Sequence, residues 1–124
     1  MLKVNNSFNN FKDFIDHYAN KFKNNIYYGG LKNKEISYER LLTILKNFKI
    51  ILDKYKILPQ DKIMVICDNG EDLVLIFLSI LYHKIIFVPV NPKTTLSEYT
   101  YLKKFTKPKL VITDKYNLKK LKIK

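Results

Sequence analysis

The chain has little from which to build a phosphate cradle. It holds three glycines, and neither GxGxxG nor GxxxxGK[ST] occurs. Its one cysteine, Cys67, forms no internal disulfide, so a reducing, cytoplasmic setting is expected. His17 and His83 lack cysteine or a paired acid at ligand spacing, so neither reads as a metal ligand. No Ser-His-Asp or Cys-His arrangement offers an activated nucleophile. The longest apolar run, Leu73 to Tyr82, is too short to span a bilayer and gives way to His83, Lys84 and Pro89. Met1 to Asn10 has no apolar core of the secretory kind.

Arginine is nearly missing too. Of 23 basic residues only Arg40 is an arginine, while the net charge is +12. Such a charge permits attraction to nucleic acid or anionic lipid. Lysine spread along the whole chain, without the planar fork that reads phosphate and base edges, argues instead for a solvated surface. Its densest run is Lys119-Lys120-Leu121-Lys122-Ile123-Lys124. No specific nucleic-acid partner is expected, and no membrane span.

What is present is apolar content, 47% over 124 residues, which suits one compact domain. Asp61 to Pro92 organises it. An apolar strand over 63–67 stops at Asp68-Asn69-Gly70, a helix follows from Glu71 to about His83, and a second strand covers 85–88. Strand, crossover helix, strand is the grammar of a parallel sheet. The helix is apolar on almost every side, so it is expected to be buried on several.

Upstream, Phe8, Phe11, Ile15, Tyr18 and Phe22 form a helical stripe, with Ser7 as a cap. Ile26-Tyr27-Tyr28, a Gly29-Gly30 turn and Glu35-Ile36 suggest a short hairpin. Ser37 caps a helix predicted over 38–55, whose apolar face is Leu41, Leu42, Leu45, Phe48, Ile51, Leu52 and Tyr55. Downstream, Thr95 and Glu98 form a capping box for a helix carrying Leu96, Tyr99, Leu102 and Phe105. A third strand covers 110–113 and ends at Asp114. A last helix is predicted to begin at Asn117, leaving Leu118, Leu121 and Ile123 with nothing obvious to cover them. The fold class is α/β: a layered, partial parallel sheet with flanking helices, preceded by a helix and a short hairpin. Strand order is not readable.

Ligands of open parallel sheets bind beyond the carboxyl ends of the strands. Here those ends are Asp68-Asn69-Gly70, Pro89-Val90-Asn91-Pro92 and Asp114. Asn69 reads as a cap and Gly70 as a tight turn. Glu71 and Asp72 place negative charge where a phosphate would sit. Asn91 to Thr95 reads as a loop and helix cap before a substrate edge. Cys67, inside an apolar strand, reads as an inert thiol.

Five segments in order carry a more specific signal. They are Phe11-Lys12-Asp13-Phe14-Ile15; Ile36-Ser37-Tyr38-Glu39-Arg40-Leu41; and Ile57 to Val65 leading to Asn69-Gly70-Glu71. Lys84 to Pro92 and Leu110-Val111-Ile112-Thr113-Asp114 complete the set. Together they resemble the N-terminal segment of the AMP-forming acyl-activating synthetases, the adenylate-forming superfamily that includes acyl-CoA synthetases and peptide synthetase adenylation domains. Gln60 and Lys84 stand where that family usually has glycine; the lysine must take a backbone shape that glycine takes more cheaply, or the turn differs.

The resemblance implies that residues 1–124 are a single, incomplete N-terminal subdomain, inactive alone. A complete enzyme would use ATP and Mg2+ to make an acyl-adenylate, then a thioester on coenzyme A or a carrier-protein thiol. The family's phosphate-binding loop and catalytic lysine have no counterpart here. No catalytic, cofactor-binding or metal residue is therefore assigned, and the remainder of the synthetase is an implied partner. Two other readings stand beside it: a small α/β interaction or regulatory module that pairs with a separately encoded partner, and a basic nucleic-acid-binding domain.

Overall fold

The computed structural model describes residues 8–29 and 35–124. Helix α1 spans Phe11–Lys21, strand β1 Ile26–Gly29 and strand β2 Glu35–Ser37. Helices α2 (Tyr38–Asn47) and α3 (Lys49–Lys54) lead into strand β3, Lys62–Ile66. Helix α4 (Glu71–Tyr82), β4 (Ile86–Pro89), α5 (Leu96–Thr106), β5 (Leu110–Thr113) and α6 (Lys115–Lys120) complete the chain. β1 and β2 pair antiparallel, as the hairpin reading requires. Of the predicted Gly29-Gly30 turn, Gly29 instead ends β1, and Gly30 lies outside the described residues.

The main sheet is parallel, in the order β4-β3-β5. Met64 sits between Val88 and Val111, and Val65 between Pro89 and Ile112. Successive side chains of a strand alternate faces. Ile63 and Val65 accordingly join Phe48, Leu52 and Ile80 on one side, while Met64 and Ile66 join Val90, Tyr99 and Leu121 on the other. Right-handed crossovers that run in opposite directions across the sheet, from β3 out to β4 and from β4 back past β3 to β5, put their helices on opposite faces. This is the arrangement found, with α4 on the first face and α5 on the second.

Helix α4 meets the expectation drawn from its composition on two sides. Leu73, Ile76 and Ile80, at helical spacing, face the sheet. Leu75, Leu78 and Tyr82 face α1 and α2, beside Ala19, Leu41 and Leu45. Burying each large apolar side chain contributes roughly 1.5–3 kcal/mol, so α4 joins the two layers. Its third stripe is left partly open, with Val74 and Phe77 more than a third exposed. The polar link across the helical layers is the Tyr82 hydroxyl, which donates to Asp16 Oδ1 at 2.6 Å. Burial first, then the Asp16 contact, pushes the Tyr82 phenol up to about 12. Burial also pushes Asp16 up, but hydrogen bonds from Lys12 and Tyr82 outweigh it and leave the carboxyl below its ordinary value.

Several boundaries differ from the sequence reading. Helix α1 starts at Phe11, where Asn10 accepts from the Asp13 amide; Ser7 lies outside the described residues. The long helix over 38–55 breaks at Phe48, and Ile51 and Tyr55 stay outside the core. Leu96 and Phe105 are exposed on α5, so only Tyr99 and Leu102 of its stripe reach the core. The final helix begins at Lys115, not Asn117, because Asp114 accepts from the Asn117 amide as N-cap. Asn117 is buried within it. The expectation of a bare tail is corrected as well. Leu121 is 1% exposed against the sheet and Ile123 packs beside it, leaving only Leu118 uncovered.

Candidate functional site

All three strand ends open onto one edge. Thr113 Oγ1 donates to the Ile66 carbonyl at 2.9 Å, fastening the end of β5 to that of β3. The Val90 amide donates to the Val65 carbonyl at 2.9 Å, holding the exit of β4 against β3. Between β3 and β4 lies a cleft of about 440 Å³, lined by Cys67, Asp68, Asn69, Leu73, Asn91 and Lys93 among others. A second depression of about 490 Å³ opens on the other side of Asn91, toward Thr94, Glu98 and Tyr101. The sequence reading named Asp68, Asn69 and the Asn91–Thr95 loop; the structure brings both segments to one cleft.

The side chains there are largely engaged with their own backbone. Asn91 Oδ1 accepts from the Lys93 amide at 2.8 Å, a local turn bond. Thr95 Oγ1 accepts from the Glu98 amide at 3.2 Å, and Glu98 Oε2 accepts from the Thr95 amide at 2.8 Å, completing the capping box. Asp114 accepts from the Asn117 amide at 2.7 Å and from Asn117 Nδ2 at 2.9 Å. These bonds from backbone amides hold the Glu98 and Asp114 carboxyls below their ordinary values. Gly70 differs from expectation: its φ of 167° is extended, and an added Cβ would meet nothing. No glycine-specific turn exists there, and Asn69 makes no cap bond to α4.

Cys67 lies one residue past the strand, half-buried rather than inside it. Burial first, then the charges of Asp114, Asp72 and Asp68, push its thiol up, so it stays protonated and unreactive near neutrality. His17 is exposed on α1. His83 ends α4, and its Nε2–H donates to the Leu45 carbonyl at 2.8 Å. Among the described residues no three or more His, Cys, Asp or Glu side chains gather as metal ligands would.

The helix starts at this edge offer a phosphate no bare N-terminus. The helix starts that would attract phosphate carry carboxylates instead: Glu71 and Asp72 on α4, Glu98 on α5 and the Asp114 cap on α6. No step through ATP is assigned to these residues. The Asn69 and Asn91 side chains and the Lys93 ammonium give the cleft its polar groups, beside the Cys67 thiol and the Asp68 carboxylate.

Comparison with known proteins decides the wider context. Residues 15–124 match the family model described as AMP-binding enzyme. This chain belongs to the AMP-binding enzyme family. An Acyl-CoA synthetase ALT10 of Alternaria alternata is 32% identical to it over 79 residues, 64% of this chain and 14% of that protein. The benzoate CoA ligase of Burkholderia xenovorans LB400 superposes with a TM-score of 0.81 at 18% identity, covering 93% of this chain and 23% of that one. The N-terminal subdomain of Klebsiella oxytoca NpsA, solved with 3-hydroxybenzoyl-AMSN, gives 0.76 at 15% identity, covering 86% and 27%. The fold is thus part of the N-terminal subdomain of adenylate-forming enzymes. This AMP-binding family member spans about a seventh of its curated relative and about a quarter of those two solved chains.

Proposed function

We propose that residues 1–124 are the scaffold of an AMP-forming acyl- or amino-acid-activating ligase and are inactive alone. In the complete enzyme a carboxylate oxygen attacks the α-phosphorus of ATP and pyrophosphate leaves. A thiol, of coenzyme A or of a carrier protein, then takes the acyl group and AMP leaves. ATP and Mg2+ belong to that assembly and not to this segment. The observation that carries the reading is the carboxylate at each helix start on the ligand-binding edge, within a fold that matches the family. The strand ends are shaped and fastened, and the carboxylates at their helix starts disfavour a phosphate at those positions. The lone Cys67 supports a reducing, cytoplasmic setting.

The test is ATP–pyrophosphate exchange with a panel of carboxylic acids. The 124-residue chain alone is expected to give background exchange. Adding the polypeptide encoded immediately downstream is expected to restore it. Exchange by this chain unaided overturns the reading.

A further inference from the structure

The sheet has a second edge with a different character. Because its strands are parallel, α3, α4 and α5 all end at the amino edge, where β3, β4 and β5 begin. Lys54, Lys56, Lys62, Lys84, Lys104 and Lys107 gather at these helix exits and strand starts, and all but the half-buried Lys62 are exposed. Lys109 is there too, but it is spoken for: its ammonium pairs with Asp61 at 2.8 Å. The chain therefore biases its charge: Asp68, Glu71, Asp72, Glu98 and Asp114 outnumber Lys93 and Lys115 at the carboxyl edge, while lysine outnumbers Asp53 and Asp61 at the amino edge, where each of those two is paired with a lysine. Helix dipoles account for the bias, since cations suit helix C-termini and anions N-termini.

The basic edge also displays apolar side chains. Leu58 is 63% exposed at the tip of the loop entering β3, and Phe105 is 73% exposed in the last turn of α5. Tyr55 and Ile86 are more than a third exposed beside them. Exposed apolar residues ringed by lysine fit the surface of an anionic bilayer. Nucleic acid fits less well, because recognition there draws on arginine forks and stacking grooves, and no arginine stands at this edge. Attraction to lipid headgroups is non-directional and needs only ammonium groups. The membrane leaflet facing the cytoplasm is the anionic one.

We propose that the amino edge of the sheet is a docking surface for anionic membrane, with the lysines against the headgroups and Leu58 and Phe105 entering the interface. This contact is peripheral; no helix among the described residues is long and apolar enough to cross a bilayer.

The test is co-sedimentation of the 124-residue chain with vesicles of phosphatidylcholine, alone or with about 30% phosphatidylserine. Binding is expected only with phosphatidylserine, falling roughly tenfold between about 0.1 and 0.5 M NaCl. Neutralising Lys54, Lys56 and Lys104 to Gln together is expected to weaken it about tenfold, and Leu58→Ser with Phe105→Ser about fivefold. Lys93→Gln, Lys115→Gln and Lys119→Gln remove the same charge elsewhere and are expected to change it less than about twofold. Circular dichroism melts confirm that each variant is folded. Equal loss in both lysine triples overturns the proposal, since net charge alone would then explain binding. So does the absence of vesicle binding, or tighter binding to single-stranded RNA through the same lysines.

Discussion

The two edges of one small sheet solve the same problem in opposite ways. At the carboxyl edge, two of the three helices that begin there are closed by a side chain accepting a backbone amide, Thr95 for α5 and Asp114 for α6. At the amino edge, helices end without glycine. Lys56, Lys84 and Lys107 turn the chain with φ values of 53°, 60° and 50°, and Gln60 adds another at 73°. The first edge is polar, capped and locally satisfied. The second is strained and carries its charge outward.

The largest effect expected from disturbing this contrast lies at α6, which anchors the carboxyl edge from beneath. Leu121 is enclosed by Met64, Ile66, Val90 and Tyr99. Leu121→Ala is expected to destabilise the fold by about 3 kcal/mol through lost burial and the cavity left behind. In thermal denaturation that is a fall of roughly 10 °C. Leu118→Ala, on the same short helix but exposed, is expected to stay within about 0.5 kcal/mol. Equal effects would mean that α6 is not seated as described.

Next come the caps and the strained exits, which are expected to carry opposite signs. Thr95→Ala removes the capping-box acceptor and is expected to cost about 1 kcal/mol. Lys84→Gly relieves a left-handed non-glycine residue. It is expected to stabilise by about 1 kcal/mol, because the relief exceeds the added entropy of the unfolded chain. Gln60→Gly is expected to act in the same direction, and the two need not add: the Gln60 amide donates to the Lys84 carbonyl at 2.9 Å, so they share one turn. Urea titration of the three variants reads both signs. Destabilisation by Lys84→Gly would show that its side chain contributes more than its backbone conformation costs.

Much of this was legible beforehand, and the limits have physical causes. The β3–α4–β4 unit and the Thr95–Glu98 box follow from local residue patterns, which act over a few positions, while the special backbone at Lys84 was signalled only by the family's glycine there. The break at Phe48 leaves no such pattern, since that residue keeps helical dihedral angles and only the hydrogen-bond ladder slips. The order β4-β3-β5 depends on pairings between distant segments that no periodicity encodes. Leu121 looked bare because its cover is the far face of a strand more than fifty positions away. At the site, Asn91 and Asp68 were visible as strand-end residues. Their meeting at one cleft was not, because it depends on which strands are neighbours.

The pH dependence of stability joins the two edges. Asp16, Asp61, Glu98 and Asp114 all have carboxyls held below their ordinary values, Asp61 chiefly by the Lys109 ammonium and the Leu58 amide. A depressed folded value means that the stabilisation is present above the unfolded value, near pH 4, and is lost as pH falls through the folded one. Tyr82 behaves in reverse. Its neutral phenol stabilises the fold below about pH 10, and that contribution is lost as pH rises toward about 12. The melting temperature is therefore expected to hold between about pH 5 and 9 and to fall on both sides. Tyr82→Phe is expected to reduce the alkaline fall without abolishing it, since Cys67 and Tyr27 are also held above their ordinary values; an unchanged alkaline fall in that variant would assign it to other groups.

The smallest expected effect is the most local test of how the carboxyl edge treats a reactive atom. Cys67 sits where the chain leaves β3, and only its thiolate attacks a disulfide reagent or maleimide. Burial and three neighbouring carboxylates all disfavour that thiolate. Its reaction near pH 7.5 should thus be slower than that of a free thiol and should approach it as pH rises. Asp114→Asn removes one negative charge yet keeps the α6 cap, because asparagine caps helices as well as aspartate does. The variant is expected to react about twofold faster near pH 7.5, with no change at strongly alkaline pH, where the thiolate is already formed. Asp53→Asn, at the opposite edge, is expected to leave the rate unaltered. A rise at every pH would instead signal a loosened strand end, since exposure speeds reaction whatever the ionisation, whereas a charge effect vanishes once ionisation is complete.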